Sequence, residues 1–479
     1  MRSKTLAAVL TLVLGALAIT SCGSGSGSGS GPSTRIVNAA YNAPYNFDVL
    51  LNSVSAVTDM EYLQATAFQS ISTGGTTVEF EPTGTTTNAV TASFDAGNGF
   101  NYSVLAVEGT GGLTSLVVAQ NNSSISAGQA RLTFAGAASS VGTLDFFITS
   151  PTAALPSTPS IAPISYAGDG STVTPTPIIV ASGDYRIRAI VDGDTTQTIV
   201  YDSGRLTFAS GVDLLLAIIP VSGSAAQFSL LSLDAKSSVS QIPDQRVQLR
   251  VGNFAPASAS VDAYVAATGT AGSTGTLLVS GLTPDSASAY QAVLPGNYVY
   301  FTNTGQTTQL VGSQRALEAS TSVSVFAIGF SGLPYPNNLQ LLTLQDNLQT
   351  PPTGMANLRI VQLAPDVNNS ATNAVDVVTI NTSVTPPVIT GTLVSNLVYP
   401  GASAYRPMSA GIYTVALVPH NLDTPLLPTS AGIVLNLTVG TVWTLVVAGC
   451  EYPGTGICSS APAATLQLVP LQDISVPQQ

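Results

Sequence analysis

The chain has 479 residues, of which 45% are hydrophobic and only 8% are charged. Disordered chains combine low hydrophobicity with high charge, so this composition excludes a disordered protein and predicts a folded one. Acidic residues outnumber basic residues by 25 to 13. This negative balance argues against nucleic acid and anionic lipid headgroups as partners.

The first 21 residues are typical of a signal peptide, with early basic residues and an apolar run over residues 6–19. The run ends in I-T-S-C, which resembles a bacterial lipobox, so we expect a lipid on Cys22 and removal of residues 1–21. In Gram-negative sorting, Gly23 after the cysteine implies the outer membrane. The alternative is an ordinary signal peptide followed by an unmodified cysteine.

The lipidated cysteine opens a Gly/Ser linker over residues 22–32. A linker of this length reaches roughly 18 Å from the membrane surface. We therefore expect a cell-envelope protein that contacts the outer membrane through its N-terminal lipid, on either the periplasmic or the cell-surface face.

Four segments of the remaining chain repeat one another and predict four domains, over residues 33–125, 126–240, 241–350 and 355–476. Each opens with an arginine in a strand-like run such as L-R-V-G-N-F-A-P, and continues with an aspartate among apolar residues. Each later has a glycine turn followed by a tyrosine strand, and three end in an aspartate after a run such as L-L-T-L-Q. Repeats of about 100 residues are whole domains rather than solenoid turns.

The apolar residues of each repeat alternate with period two, in short β-branched runs separated by Gly, Pro, Asn and Ser. This pattern predicts an all-β protein made of four tandem immunoglobulin-like or Greek-key β-sandwich domains. The recurrent tyrosines are expected to bury their rings and bond their hydroxyl groups at sheet corners. They are Tyr102, Tyr185, Tyr298 and Tyr413.

The repeats resemble domain-of-unknown-function family 4397, whose consensus opens R-V-x-H-A-x-P-D-A-P-x-V-D-V-Y and later reads G-x-Y-x-V. The resemblance covers nearly all of the mature chain and implies an exported β-sandwich, often in tandem, with no established activity. This chain departs from the family at the frequent His after the first strand, so no site built on that His is carried over. The replacing residues are Asn38, Phe134, Asn253 and Gln362.

Few residues suit catalysis, metals or cofactors, and we expect neither a metal nor a cofactor. The single histidine, His420, lies in V-P-H-N-L and is interpreted as a surface-loop residue, because no G-x-S-x-G motif accompanies it. Asp192 and Asp194 in V-D-G-D-T lack the further acidic ligands of a calcium loop and are typical of a hairpin turn. Trp443 lies on an alternating strand, which favours core packing over carbohydrate stacking.

Two cysteines remain besides Cys22, at positions 450 and 458. In an oxidising compartment we expect Cys450 and Cys458 to form a disulfide, because the intervening G and P residues let the loop fold back. Closing so short a loop contributes about 2.5 kcal/mol in the chain-entropy model.

The repeated arginines and aspartates are each flanked by apolar residues, so the period-two rule places both on the outer faces of their sheets. Their separation suits adjacent antiparallel strands, and we expect one exposed Arg–Asp pair in each repeat. The alternative is that they are unrelated solvated charges. The expected pairs are Arg35 with Asp48, Arg131 with Asp145, Arg250 with Asp262, and Arg359 with Asp376.

These features favour a non-enzymatic envelope protein with a structural, adhesive or assembly role. The alternative is a glycan- or peptide-binding module that presents its ligand site on the loops at the domain tips. In either case the partner is an envelope protein or glycan whose identity the sequence does not indicate.

Overall fold

The computed structural model describes residues 31–221, 226–234, 238–267, 275–367, 374–420 and 433–474. Strands make up 56% of the structure and form separate sheets, which confirms the prediction of an all-β protein with tandem β-sandwich domains. Within the described residues, no helix has the length and hydrophobicity needed to cross a membrane.

Each domain consists of two facing sheets, which we call sheet A and sheet B. Sheet A holds the opening strand with the repeated arginine, and sheet B holds the strand with the repeated aspartate. The opening strand lies parallel to a later strand of its own sheet. Alternate side chains enter the space between the sheets, where each domain has its own apolar core.

Domain 1 has sheet A in the order β4-β1-β7-β8 and sheet B in the order β3-β2-β5-β6. Its strands are β1 (Ser33–Asn38), β2 (Phe47–Leu51), β3 (Val54–Met60), β4 (Gln69–Ser70), β5 (Gly74–Pro82), β6 (Val90–Ala96), β7 (Phe100–Gly109) and β8 (Gly112–Asn121).

Domain 2 has sheet A in the order β12-β9-β15-β16-β17 and a three-stranded sheet B, β10-β13-β14. Its strand β11 leaves the domain and pairs in parallel with β8 of domain 1. The strands are β9 (Gln129–Gly136), β10 (Leu144–Thr149), β11 (Ser171–Val173), β12 (Ile178–Ala181), β13 (Gly183–Val191), β14 (Ile199–Phe208), β15 (Asp213–Pro220), β16 (Phe228–Asp234) and β17 (Val239–Ile242).

Domain 3 has sheet A in the order β21-β18-β25-β26, with β22 also pairing with β18, and sheet B in the order β20-β19-β23-β24. Its strands are β18 (Val247–Phe254), β19 (Val261–Ala266), β20 (Thr276–Leu282), β21 (Ser286–Ala287), β22 (Gln291–Val293), β23 (Tyr298–Asn303), β24 (Gln309–Gly312), β25 (Ser322–Ile328) and β26 (Gln340–Gln345).

Domain 4 repeats that plan, with sheet A in the order β30-β27-β34-β35, β31 also on β27, and sheet B in the order β29-β28-β32-β33. Its strands are β27 (Met355–Gln362), β28 (Val375–Asn381), β29 (Val388–Leu397), β30 (Gly401–Ala402), β31 (Arg406–Ser409), β32 (Gly411–Pro419), β33 (Ile433–Leu437), β34 (Val442–Ala448) and β35 (Gln467–Ile474).

The junction between domains 2 and 3 differs from the sequence-based boundary. The expected boundary at residue 240 falls inside β17, which pairs with β16 and so belongs to domain 2. Only residues 243–246 separate β17 from β18. The strand pairing therefore moves the end of domain 2 to Ile242.

Candidate functional site

The outer faces of the A sheets are buried because the domains pack in pairs through them. In domains 3 and 4 this contact, junction 3–4, is a cluster of Phe254, Phe326 and Ile328 against Val361, Leu363, Val446 and Ala448. Domains 1 and 2 pack in the same way through junction 1–2, where Leu105 and Leu116 meet Leu215 and Leu231. The arginines therefore face an interface, not solvent.

Junction 3–4 contains two reciprocal ion pairs. Arg250 of domain 3 donates to Asp473 of domain 4 over 2.5 Å, and Arg359 of domain 4 donates to Asp346 of domain 3 over 2.6 Å. Both carboxylates are fully buried, and each arginine is 2% exposed. Each domain thus supplies one cation to its partner and receives one in return.

Aromatic and hydroxyl side chains complete each ion pair. The guanidinium of Arg250 lies 4.8 Å from the ring centre of Tyr290, and that of Arg359 lies 4.6 Å from the ring of Tyr405. The Tyr290 hydroxyl donates to Asp346 over 2.7 Å, and the Tyr405 hydroxyl donates to Asp473 over 2.8 Å. Each carboxylate therefore binds an arginine of the other domain and a tyrosine of its own domain.

Burial and charge oppose each other at this junction. Burial lowers the pKa of the Arg250 guanidinium, but attraction to Asp473, Tyr290 and Asp346 outweighs burial and raises the pKa overall. Burial also raises the pKa of the Asp473 carboxyl, and Arg250 and the Thr444 hydroxyl offset only part of that rise. A buried charge of this kind is tolerable only while its partner stays in place.

Junction 1–2 uses a less symmetrical arrangement. Arg35 is 1% exposed, donates to the backbone carbonyls of Leu233 and Asp234 in domain 2, and lies over the Phe68 ring. Burial lowers the Arg35 pKa to about 10, although Asp213 and Asp234 attract the charge. Arg131 instead makes a two-pronged ion pair with Asp213 of its own domain.

The segment between domains 2 and 3 is also held by buried charge. Asp244 is paired with Arg246 over 2.8 Å and accepts the backbone N–H of Asp202 over 3.0 Å. Arg246 also donates to the carbonyls of Ile199 and Val200 in domain 2. On the other side, the Ser320 hydroxyl of domain 3 donates to the Asp244 carbonyl over 2.8 Å. This junction 2–3 is therefore bonded to both of its neighbours.

The predicted pairing of each arginine with the aspartate of its own repeat is wrong. The arginines lie in A sheets and the aspartates Asp48, Asp145, Asp262 and Asp376 in B sheets, so the two never occupy adjacent strands. Within the described part of the chain, no ion pair joins Arg35, Arg131, Arg250 or Arg359 to those aspartates. Period-two alternation did identify the arginine face, but that face is buried by the neighbouring domain.

Three of the four aspartates instead form hydrogen bonds with residues on both sides of their own strand, in the neighbouring strands or the turns that follow them. Asp262 accepts the N–H of Gly281 over 2.8 Å and that of Gly305 over 3.0 Å. Asp48 accepts the N–H groups of Asp59 and Gly84 in the same way. Asp59 and Gly281 have positive φ angles of 54° and 68°, so the carboxylate stabilises a left-handed bulge residue.

Domains 2 and 4 modify this arrangement. Asp376 accepts the N–H of Asn396 over 2.7 Å and lies 2.9 Å from Nδ1 of His420, which stands in the turn after β32. Asp145 is on an edge strand of the three-stranded sheet B, and burial and the charge of Asp192 raise its pKa. These aspartates act within one sheet and not between domains.

Sequence reasoning missed the residues that complete junction 3–4. The aspartates Asp346 and Asp473 end the similar closing runs of domains 3 and 4, and S-A-Y places Tyr290 and Tyr405 at matching positions in the same two domains. These shared motifs were the available signal. The nearer aspartate in sequence was the wrong partner because the chain crosses to the other sheet before reaching it.

The disulfide between Cys450 and Cys458 is present, with a Cα–Cα distance of 6.4 Å. Its loop packs with Phe330 of domain 3, which extends junction 3–4. Asp366 lies beside the two sulfurs but accepts the backbone N–H groups of Glu451 and Tyr452. Disulfide sulfurs lack the thiolate that binds metals, so this group is not a metal site. Cys22 lies outside the described residues.

The other singled-out residues have local structural partners. Asp194 accepts N–H groups from Thr196 and Thr198 within its turn, and these bonds, with the Thr196 hydroxyl, lower its pKa to about 2. Trp443 is half-buried against the domain 4 core and donates to the Thr441 hydroxyl over 2.8 Å. In domains 2 and 4 the Tyr185 and Tyr413 hydroxyls donate to backbone carbonyls four residues upstream.

Comparison with known proteins gives one family, and the solved structures that match this chain include two distant ones. The family described as "Domain of unknown function (DUF4397)" matches residues 32–147 and 247–370. The Bacillus anthracis TIE protein is similar at 10% identity, over 85% of this chain and 66% of that one, with a TM-score of 0.15. The pneumococcal glycogen-degrading virulence factor SpuA is similar at 8% identity, over 82% and 37%, also with a TM-score of 0.15.

This chain spans less than two thirds of either of those two proteins. The curated proteins contain no match to it.

Proposed function

The chain belongs to the DUF4397 family, and from that premise we propose that it is a non-enzymatic lipoprotein of the cell envelope with a structural or assembly role. The observation that carries the proposal is the pair of reciprocal ion pairs in junction 3–4. Separating the two domains would leave these buried charges without their partners, so the ion pairs hold the domains in one relative geometry.

The use of the polar residues supports a non-enzymatic role. The repeated arginines bind across domain junctions or brace them, and three of the repeated aspartates bind backbone N–H groups. His420 contacts Asp376, but in the described residues no serine or cysteine hydrogen-bonds to its ring. A hydrolytic triad needs such a nucleophile.

Hydrolysis assays test this part of the proposal. The exported chain is incubated with fluorogenic esters, glycosides and peptides, beside a His420→Ala variant. We expect no turnover by either protein. Turnover that disappears in His420→Ala would overturn the non-enzymatic role.

Distance measurements test the scaffold itself. Spin labels placed on exposed positions of domains 3 and 4 should give one narrow distance distribution, because junction 3–4 is bonded in both directions. The same labels in an Arg250→Met chain should give a broader one. A broad distribution in the unaltered chain would contradict a scaffold of fixed geometry.

We also propose attachment through lipid on Cys22, with the Gly/Ser linker separating domain 1 from the outer membrane. The lipobox-like I-T-S-C sequence supports this assignment. Metabolic labelling with a fatty acid should mark the unaltered protein and not Cys22→Ser. Equal labelling of the two proteins would exclude lipid attachment there.

A glycan-binding role on the domain tips is the alternative. It is supported by two exposed tyrosines, Tyr335 at 78% and Tyr452 at 50%, next to the loops that pack around Phe330 and Cys450. Sugar-binding proteins often use such rings as stacking surfaces. A glycan array would favour this role if it gave a signal that Tyr335→Ala and Tyr452→Ala remove together.

A further inference from the structure

The outer edge of the last long strand of sheet A differs among the four domains. In domain 1, β11 pairs with the edge of β8, and in domain 2, β17 pairs with the edge of β16. In domain 4, β35 carries Pro470, and a proline removes a backbone donor from an exposed edge. In domain 3, the part of the chain that the structure describes places no strand on the outer edge of β26.

The free edge of β26 offers unpaired backbone groups. The Asp346 N–H donates to the Ser322 carbonyl over 2.8 Å, so this residue points toward β25. Alternate residues of a strand point in opposite directions, and Thr343 and Gln345 therefore direct their N–H and C=O groups away from β25. The Gln345 C=O accepts a hydrogen bond from Nη1 of Arg359 over 3.2 Å. In the described residues, the N–H groups of Thr343 and Gln345 and the C=O of Thr343 remain available to pair with another strand.

Pro470 occupies the position in domain 4 that Thr343 occupies in domain 3. Thr343 pairs with Val325, which follows the serine opposite Arg250. Pro470 pairs with Leu445, which follows the threonine opposite Arg359. A proline is thus compatible with this position of the sheet and blocks the same edge. Domain 3 keeps the donor that domain 4 has lost.

The leucines of this strand show what an added strand would cover. The L-L-x-L run of β16 is fully buried beside β17, whereas the L-L-x-L run of β26 is partly exposed. The two sets are Leu230, Leu231 and Leu233 in domain 2, and Leu341, Leu342 and Leu344 in domain 3.

A groove of about 600 Å³ opens beside this edge, where the two sheets of domain 3 separate. Its lining combines apolar side chains, among them Val311, Val325 and Leu341, with uncharged polar ones, and it carries one charge of each sign, on Arg315 and Glu318. The volume lies in the range of protein ligand sites. A mixed lining whose two charges have opposite signs suits an uncharged ligand with both apolar and hydrogen-bonding groups.

We propose that domain 3 binds an extended peptide segment of a partner protein, which adds to the edge of β26 as a strand and places apolar side chains in the groove. Strand addition of this kind combines backbone hydrogen bonds with pockets for alternate side chains. The chain's own β17, V-S-Q-I, shows the chemistry: Ile242 packs toward the domain 2 core and Val239 toward junction 1–2. This activity goes beyond the scaffold role and does not depend on it.

The test uses a fluorescent copy of residues 238–243, S-V-S-Q-I-P, and the exported chain. Anisotropy should show saturable binding, with a Kd on the order of micromolar. Thr343→Pro should weaken binding at least about tenfold, whereas Thr343→Val, which keeps the N–H, should stay within about twofold. The peptide S-D-S-Q-D-P, with charges in place of the apolar residues, should not bind.

A second measurement tests the proposal in the unaltered chain, in case the Thr343→Pro variant does not fold. In the unaltered chain, the peptide should slow amide hydrogen exchange at Thr343 and Gln345, and Val311→Trp should prevent this by filling the groove. No slowing, or equal binding by folded Thr343→Pro, would overturn the proposal. Dimerisation through β26 without peptide binding would also overturn it, because the occupant would then be a second copy. If the spin labels give a narrow distance distribution but the peptide does not bind, the peptide site is refuted and the scaffold role is not.

Discussion

At the scale of single residues, the buried arginines of junction 3–4 are the charges on which the domain arrangement depends most directly. Arg250 and Arg359 each have one carboxylate partner, and both partners lie across the junction. Losing one member of a buried ion pair leaves the other charge uncompensated. Replacing both members by apolar residues removes that cost.

Arg250→Met should lower the free energy of unfolding by about 3–5 kcal/mol, because it leaves Asp473 buried without its cation. The double variant Arg250→Met/Asp473→Leu should recover most of the loss. Urea denaturation measures both. Arg315→Met, at an exposed arginine of the same domain, is the matched control and should change stability by no more than about 0.5 kcal/mol. Equal effects at the two arginines would contradict the assignment.

Asp262 gives stability a defined pH dependence. Burial raises its pKa, but hydrogen bonds from Gly305, Gly281 and Ser280 outweigh burial and lower the pKa overall. Its stabilising contribution is therefore present above the unfolded-state pKa of about 3.9 and is lost as the pH falls through the folded-state pKa. Asp262→Asn should lower the melting temperature at neutral pH, and the difference should narrow below about pH 4. A constant difference would refute the role of the carboxylate.

Asp145 should behave with the opposite sign. Burial and the charge of Asp192 raise its pKa, so its contribution favours the fold at low pH and is lost as the pH rises through the folded-state pKa. The melting temperature of Asp145→Asn should thus rise relative to that of the unaltered chain as the pH rises. Melting curves collected across the same pH series compare the two variants directly.

At the scale of elements, the disulfide loop after β34 links one domain to its neighbour. The loop is closed between Cys450 and Cys458 and packs against Phe330 and Leu333 of domain 3. Its closure therefore stabilises both domain 4 and junction 3–4.

Cys450→Ser/Cys458→Ser should lower the free energy of unfolding by about 2.5 kcal/mol through loss of loop closure. Urea denaturation of this variant is compared with the unaltered chain in the presence and absence of reductant. Reductant should lower the urea midpoint of the unaltered chain and leave that of the variant unchanged. Two freely reactive thiols in the exported, unreduced protein would show that the bond does not form.

At the scale of the whole molecule, the domains form two pairs joined by a bonded segment. Junctions 1–2 and 3–4 are sheet-to-sheet contacts in which an apolar cluster surrounds buried arginines, whereas junction 2–3 is a four-residue segment held by Asp244 and Arg246. The exposed connections lie within each pair, over residues 122–128 and, apart from the buried Pro351, over 349–354.

Limited proteolysis should therefore cut within the pairs and spare the segment between them. We expect cleavage over residues 122–128 and 349–354 and protection of 243–246, because cleavage needs exposed backbone. The nicked fragments should still co-elute, since the buried junctions hold each pair together. Intact mass and size-exclusion chromatography read both results. Early cleavage at 243–246 would contradict the bonded segment.

The local sequence determined the parts of this protein that depend on neighbouring residues. Period-two alternation and turn residues predicted the β-sandwich class, and the repeats and their resemblance to a known family were confirmed. The short loop between Cys450 and Cys458 predicted the disulfide, which needs only one nearby partner. Alternation also placed Arg250 and its equivalents on the outer sheet face, because the side-chain period of a strand is local.

Only the tertiary structure decided what that outer face meets. Arg250 binds a residue 223 positions away, and the choice depends on which sheets pack together, a property absent from any local pattern. The same holds for the edge of β26, since Thr343 and Pro470 become comparable only through the strand register. Alternation states which side of a strand a residue occupies, and the burial of that side is set by the whole fold.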